Sequence, residues 1–227
     1  MAVANRIVRT DEDIKTSIVE ELNWDTRVNA AAVQVVVDGG MVTLKGTVPS
    51  SGNRRAAEED ALDMPGAVGV DNQLKVEMSK PAHVPGDLEI RDSVVSALEF
   101  NSDIESANIE PVVDAGTVTL EGSVPTHWQK NEAEVLIGLI KGVITVTNEL
   151  AVVPTEGVSD ELIAQDIEGA LARSALVDPA AVDVTVSDGT VTLQGNVPST
   201  QTRLAAYRAA NRTAGVVNIR NQLMVRP

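Results

Sequence analysis

Val42-Thr43-Leu44-Lys45-Gly46-Thr47-Val48-Pro49 reads as a strand of alternating apolar positions that ends at a proline. The string returns as Val118-Thr119-Leu120-Glu121-Gly122-Ser123-Val124-Pro125, and again as Val191-Thr192-Leu193-Gln194-Gly195-Asn196-Val197-Pro198. The offsets are 76 and 149 residues (Val42 to Val118 to Val191). Without gaps they also map Ile14 to Ile90 and Ile163, Ile18 to Val94 and Ile167, and Leu22 to Leu98 and Leu171. Downstream they map Gly66 to Gly142 and Gly215, Asn72 to Asn148 and Asn221, and Leu74 to Leu150 and Leu223. The chain is three tandem copies of one unit, expected at 10–78, 86–153 and 157–227. The connectors, Ser79–Pro85 and Val153–Glu156, contain proline and read as short linkers.

Outward from the repeated strand, each unit spells α-β-β-α-β. Thr10 or Asp11 caps a first helix, with acids at its positive end and Ile14, Ile18 and Leu22 on one face. Val33, Val35 and Val37 alternate up to Asp38-Gly39-Gly40, a hairpin turn. Glycine recurs at the second central position of that turn (Gly40, Gly116, Gly189), where φ must be positive. Ser50, Thr126 or Ser199 caps a second helix, which the pattern ends at Gly66, Gly142 or Gly215. A last strand places Val70, Asn72, Leu74 and Val76 on one face. The fold class is α+β: three small domains, each a three-stranded sheet with both helices on its one apolar face. A unit of this size is only marginally stable alone, so the three are expected to pack together.

These residues resemble the BON domain, the module of OsmY-type osmotically inducible bacterial proteins. The resemblance lies in the D-I-x-x-x-I-x-x-x-L helix, in V-x-V-x-x-G-x-V-T-L-x-G-x-V-P and in G-V-x-x-V-x-N-x-L-x-V. It spans nearly the whole chain three times over and is similar to triple-BON bacterial proteins. It implies a non-catalytic binding protein, linked to osmotic and general stress, that engages phospholipid or envelope components. A protein-binding scaffold or chaperone-like module, and a potassium-type small-cation site, are the alternatives.

Composition narrows the field. The 227 residues are 43 % hydrophobic but only 2 % aromatic, so the cores are aliphatic. A net charge of −15 disfavours nucleic acid and anionic bilayers. There is no cysteine, which removes disulfides, thiolate nucleophiles and Cys-ligated metals. Met1–Thr10 lacks a leader's apolar core and no stretch spans a bilayer, so a cytoplasmic protein is expected, or a periplasmic one if a leader was removed. His83 and His127 have no partners at triad or metal spacing, so neither an enzyme, a cofactor nor a metal centre is expected.

Candidate contact residues remain. Val135–Ile140 is apolar nearly all round and follows Trp128, so Trp128, Leu136, Leu139 and Ile140 either pack between units or subunits, giving a homo-oligomer, or dock lipid or a partner. Arg203, Arg208 and Arg212 stripe the second helix of the third unit, either as a solvated face or paired with acids of a neighbouring unit, or as the place where a phosphate headgroup would bind. Residues 11–78, 87–153 and 156–227 carry −7, −9 and −2 in turn by count of acids and bases. Trp24 and Phe100 are expected to plug the ends of their own cores, with Arg173 at that position in the third unit. Gly46, Gly122 and Gly195 mark either a helix packed too close for a side chain or a backbone approach to a ligand. Asn72, Asn148 and Asn221 either satisfy backbone groups or offer carbonyls to a cation.

Overall fold

In a computed structural model, residues 9–77, 84–155 and 157–226 are described. The first unit runs α1 (Asp11–Trp24), a 3-10 turn (Ala30–Ala32), β1 (Val33–Asp38), β2 (Met41–Val48), α2 (Ser51–Leu62) and β3 (Gly69–Val76). The second runs α3 (Asp87–Phe100), β4 (Ile109–Asp114), β5 (Thr117–Val124), α4 (His127–Gly138), β6 (Thr145–Asn148) and β7 (Ala151–Val152). The third runs α5 (Asp160–Arg173), β8 (Val182–Ser187), β9 (Thr190–Val197), α6 (Thr200–Asn211) and β10 (Asn218–Val225). His83, most of the first connector and the first eight residues lie outside the described residues.

The repeated strand is central in every sheet. β1 pairs with β2 antiparallel, with Val35 opposite Leu44, and β3 runs parallel to β2 on its other side. The second unit breaks its third strand into β6 and β7, both paired with β5. Val42, Leu44 and Val48 point inward and are buried, while Thr43, Lys45 and Thr47 between them are not. Ile14, Ile18 and Leu22 of α1 and Ala56, Ala57 and Ala61 of α2 meet that face, and the same set recurs as three separate cores. Each buried aliphatic side chain contributes about 1.5–3 kcal/mol.

Caps fix the helix starts. Thr10 and Asp13 form a reciprocal capping box. The oxygens of Ser50, Thr126 and Ser199 accept from the third N–H of α2, α4 and α6. Asp11 does not cap α1. Its carboxylate accepts from the N–H groups of Gly39 and Gly40 at 2.9 Å, clipping the hairpin turn to the helix. Asp87 does the same for Ala115 and Gly116, and Asp160 for Asp188 and Gly189. Both turn residues take positive φ in every copy, as a type I′ hairpin demands.

Three expectations change. The second helix stops at Leu62, Gly138 or Asn211, short of the glycine expected to end it. Gly66 has φ +100° in the following turn, which runs over α1 so closely that a Cβ would lie 2.8 Å from Ile14 Cδ1. Gly46 is neither under a helix nor open to a ligand: with φ +126°, its Cβ would strike the carbonyl of Ala32 where the 3-10 turn enters β1. Trp24 and Phe100 plug nothing; they are 83 % and 90 % exposed, because α1 and α3 end with those residues pointing off the core stripe.

The units close head to tail into a ring through their second helices. The residues that open these helices, Ser51, His127 and Thr200, are related by the same offsets, and each meets the far end of a neighbour's second helix. Thr200 Oγ1 donates to the carbonyl of Ala67, and Gln201 Nε2 to that of Asp63 at 3.0 Å. His127 Nδ1 donates to Asn211 Oδ1 at 2.7 Å, and Asn131 Nδ2 donates to Tyr207 Oη and Asn211 Oδ1, both at 2.9 Å. Ser51 lies against Gly138, and Gly52 is so close to Leu139 that a Cβ would lie 2.8 Å from its Cδ2. Three pseudo-equivalent, heterologous contacts therefore close on themselves.

Candidate functional site

In the third unit, the ends of α5 and α6 leave a groove of about 490 Å³. Its walls hold Arg173 from α5 and Arg208 and Arg212 from α6, with Ala170, Ala205 and Ala209 beneath. The alanines follow from helix crossing, where small side chains let two helices approach. Arg208 lies in the last turn of α6 and Arg212 is its C-cap, where the negative end of the helix dipole favours positive charge. Asp166 is the acid in the groove, and among the described residues no salt bridge engages the three guanidiniums.

The same groove has another chemistry in each of the other units. By the offsets, Arg173, Arg208 and Arg212 correspond to Trp24, Glu59 and Asp63 in the first unit, and to Phe100, Val135 and Leu139 in the second. Ala170 corresponds to Glu21 and Ala97, and Ala209 to Asp60 and Leu136. The first groove is thus acidic around an exposed tryptophan. Within it Arg27 pairs with Asp25 at 2.7 Å and reaches Asp60 at 3.8 Å. The Arg27 hydrogen bond holds Asp25 below the usual carboxylate range. Burial, reinforced by the neighbouring Asp25 charge, pushes Asp60 up to about 6. The second groove is apolar, with Leu139 66 % exposed beside the nearly free Phe100.

One or two residues of each groove also line a single cleft of about 500 Å³ shared by the three units. Glu59, Val135 and Arg208, equivalent positions of the three copies, line it together. Trp128 and Tyr207 share its wall. Burial raises the Tyr207 hydroxyl and lowers the His127 imidazole, which keeps both neutral in the seam between the second and third units.

The expected contact residues therefore part company. Trp128 is half-buried on the central cleft. Leu136 and Ile140 are partly buried against the core of the second unit. Leu139 stays exposed, and Arg208 and Arg212 face the groove while Arg203 is half-buried outside it. Asn72 Nδ2 donates to the Arg54 carbonyl and to Glu58, both at 3.0 Å, and Asn148 repeats this with Lys130 and Glu134. The side-chain oxygens of Asn72, Asn148 and Asn221 accept from the N–H of Leu74, Leu150 and Leu223, whose positive ends stand where a cation would bind. Among the described residues no His, Cys, Asp or Glu cluster is arranged for a metal ion, and no helix is long and apolar enough to cross a membrane. The convergence of Arg173 with Arg208 and Arg212 was missed from sequence, although its signal was present: one repeat position reads Trp, Phe and Arg in turn.

A family model for the BON domain matches residues 10–78, 86–154 and 159–227. Osmotically-inducible protein Y of Escherichia coli strain K12 is 29 % identical over 152 residues, covering 64 % of this chain and 76 % of that protein. Among solved structures, the C-terminal domain of CdsD, a structural protein of the type III secretion system of Chlamydia trachomatis, is 15 % identical with a TM-score of 0.25, covering 96 % of this chain and all of that one. The periplasmic domain of PrgH from S. typhimurium, an inner-membrane protein of a type III secretion system, is 15 % identical with a TM-score of 0.21, covering 92 % and 99 %.

Proposed function

Since the chain belongs to the BON domain family, we propose that it is a non-catalytic binding protein of the osmotic-stress response that engages the phosphate headgroups of phospholipid. The observation that carries this reading is the arginine groove of the third unit: three guanidiniums with no salt bridge among the described residues, kept on a chain of net charge −15. Arginine's planar fork suits phosphate oxygens, and an unpaired cluster on an acidic protein is a local exception to its long-range field. Each arginine near an anionic surface contributes about 1 kcal/mol, so the affinity is modest and salt-sensitive. A non-catalytic role fits the residues at hand, since His127 is committed to Asn211 in a seam between units.

Co-sedimentation with vesicles of phosphatidylglycerol and phosphatidylcholine, against phosphatidylcholine alone, tests the reading at low and moderate salt. The mixed vesicles should carry the protein down, and Arg173→Ala, Arg208→Ala and Arg212→Ala together should release it. No sedimentation at either salt overturns the phospholipid reading.

A further inference from the structure

We infer that two copies of this chain stack face to face about a two-fold axis, the acidic groove of each first unit on the arginine groove of the other's third unit, and the apolar grooves of the two second units on each other. The inference rests on the three unlike grooves and on the ring that displays them. The units repeat one contact around the ring, so equivalent grooves lie on the same side of it, and Glu59, Val135 and Arg208 line the central cleft together. A two-fold axis in the plane of that ring, passing through the second unit, exchanges the first unit with the third and returns the second to itself. Under that operation the groove chemistries match.

Glu21 and Asp63, beside a Glu59 already paired with its own Arg55 at 2.8 Å, meet Arg173, Arg208 and Arg212, and the exposed Trp24 offers its ring face to a guanidinium. Phe100 and Leu139, 90 % and 66 % exposed, meet their own copies and lose water. Neither other two-fold pairing satisfies all of them: an axis through the first unit sets acid on acid and arginine on leucine, and one through the third sets arginine on arginine and acid on phenylalanine. The contact is isologous and closed, so the assembly stops at two chains. It uses the arginines proposed above for phosphate, so the two occupants compete, yet self-association is measured without lipid and its failure is a separate result from a failure of vesicle binding.

The test is sedimentation equilibrium of the full chain from about 1 µM to about 1 mM. A reversible monomer–dimer equilibrium is expected. Phe100→Asp, at a site 90 % exposed and outside every core, should weaken it at least about tenfold. So should Arg208→Glu with Arg212→Glu, and separately Glu21→Arg with Asp63→Arg, with far-ultraviolet dichroism unchanged. Mixing these two charge-reversed chains should restore the dimer, because each then presents two grooves of one sign to two grooves of the other. A strict monomer over the whole range, a dimer indifferent to all three variants, or two charge-reversed chains that fail to pair when mixed, overturns the proposal.

Discussion

The first and third units place the same residue types on the same stripe, Ile14, Ile18 and Leu22 against Ile163, Ile167 and Leu171, and bury them equally. A few ångströms away, the groove between their helices reads Trp24, Glu59 and Asp63 in one and Arg173, Arg208 and Arg212 in the other. Side chains that point inward must fill a fixed volume, so duplication keeps them. Side chains at a groove's rim answer to solvent and partners, so they diverge without disturbing the fold. One scaffold thus displays three unlike surfaces around a single cleft, and the third sits apart in chemistry from the −7 and −9 of its neighbours.

If the scaffolds are equivalent, Ile18→Ala and Ile167→Ala should each lower the stability of their own unit by about 2–5 kcal/mol. Hydrogen exchange of core amides, read unit by unit, measures this, and a loss in one unit without the other breaks the comparison. A smaller effect concerns Asp60, which stands where the third unit has Ala209. Its carboxyl is pushed up to about 6 in the folded chain, above the ordinary 3.8 of an aspartate in water. A raised acid favours the folded state only while protonated. Its contribution is therefore full below pH 3.8 and is lost as pH rises through about 6. Asp60→Ala should remove that slope and make the first unit more stable at neutral pH by about 1 kcal/mol, the figure expected after solvent screening. Urea unfolding between pH 4 and pH 7 checks it, and an unchanged slope removes Asp60 from the account. The smallest effect is in the hairpins. Ala115 holds φ +47° where the first unit has Gly39 at +56°. Ala115→Gly should stabilise the second unit by about 0.5–1 kcal/mol, seen as a higher thermal midpoint.

Much of this was legible in the chain. Period-two and period-3.6 patterns, repeated three times, placed two helices and three strands in each unit, though not the ends of the second helices or the break between β6 and β7, because burial imposes them on one chain segment at a time. The hairpin glycines were legible because the turn needs positive φ. Trp24 and Phe100 were misread as plugs: an aromatic next to an apolar stripe has the composition of a core residue, and only the angle at which α1 leaves its sheet exposes it. The hairpin clip by Asp11, Asp87 and Asp160 was hidden for a related reason, since a first-turn acid also suits the helix dipole.

The amino-acid order alone determined three small aliphatic cores, their internal topology and the uneven spread of charge, since each depends on periodicity within some seventy residues. The tertiary structure decided which unlike residues converge: Arg173 with Arg208 and Arg212, His127 with Asn211, and Glu59, Val135 and Arg208 around one cleft. Those meetings depend on helix crossing and ring closure, which bring together positions 35 to 149 residues apart that no local pattern connects.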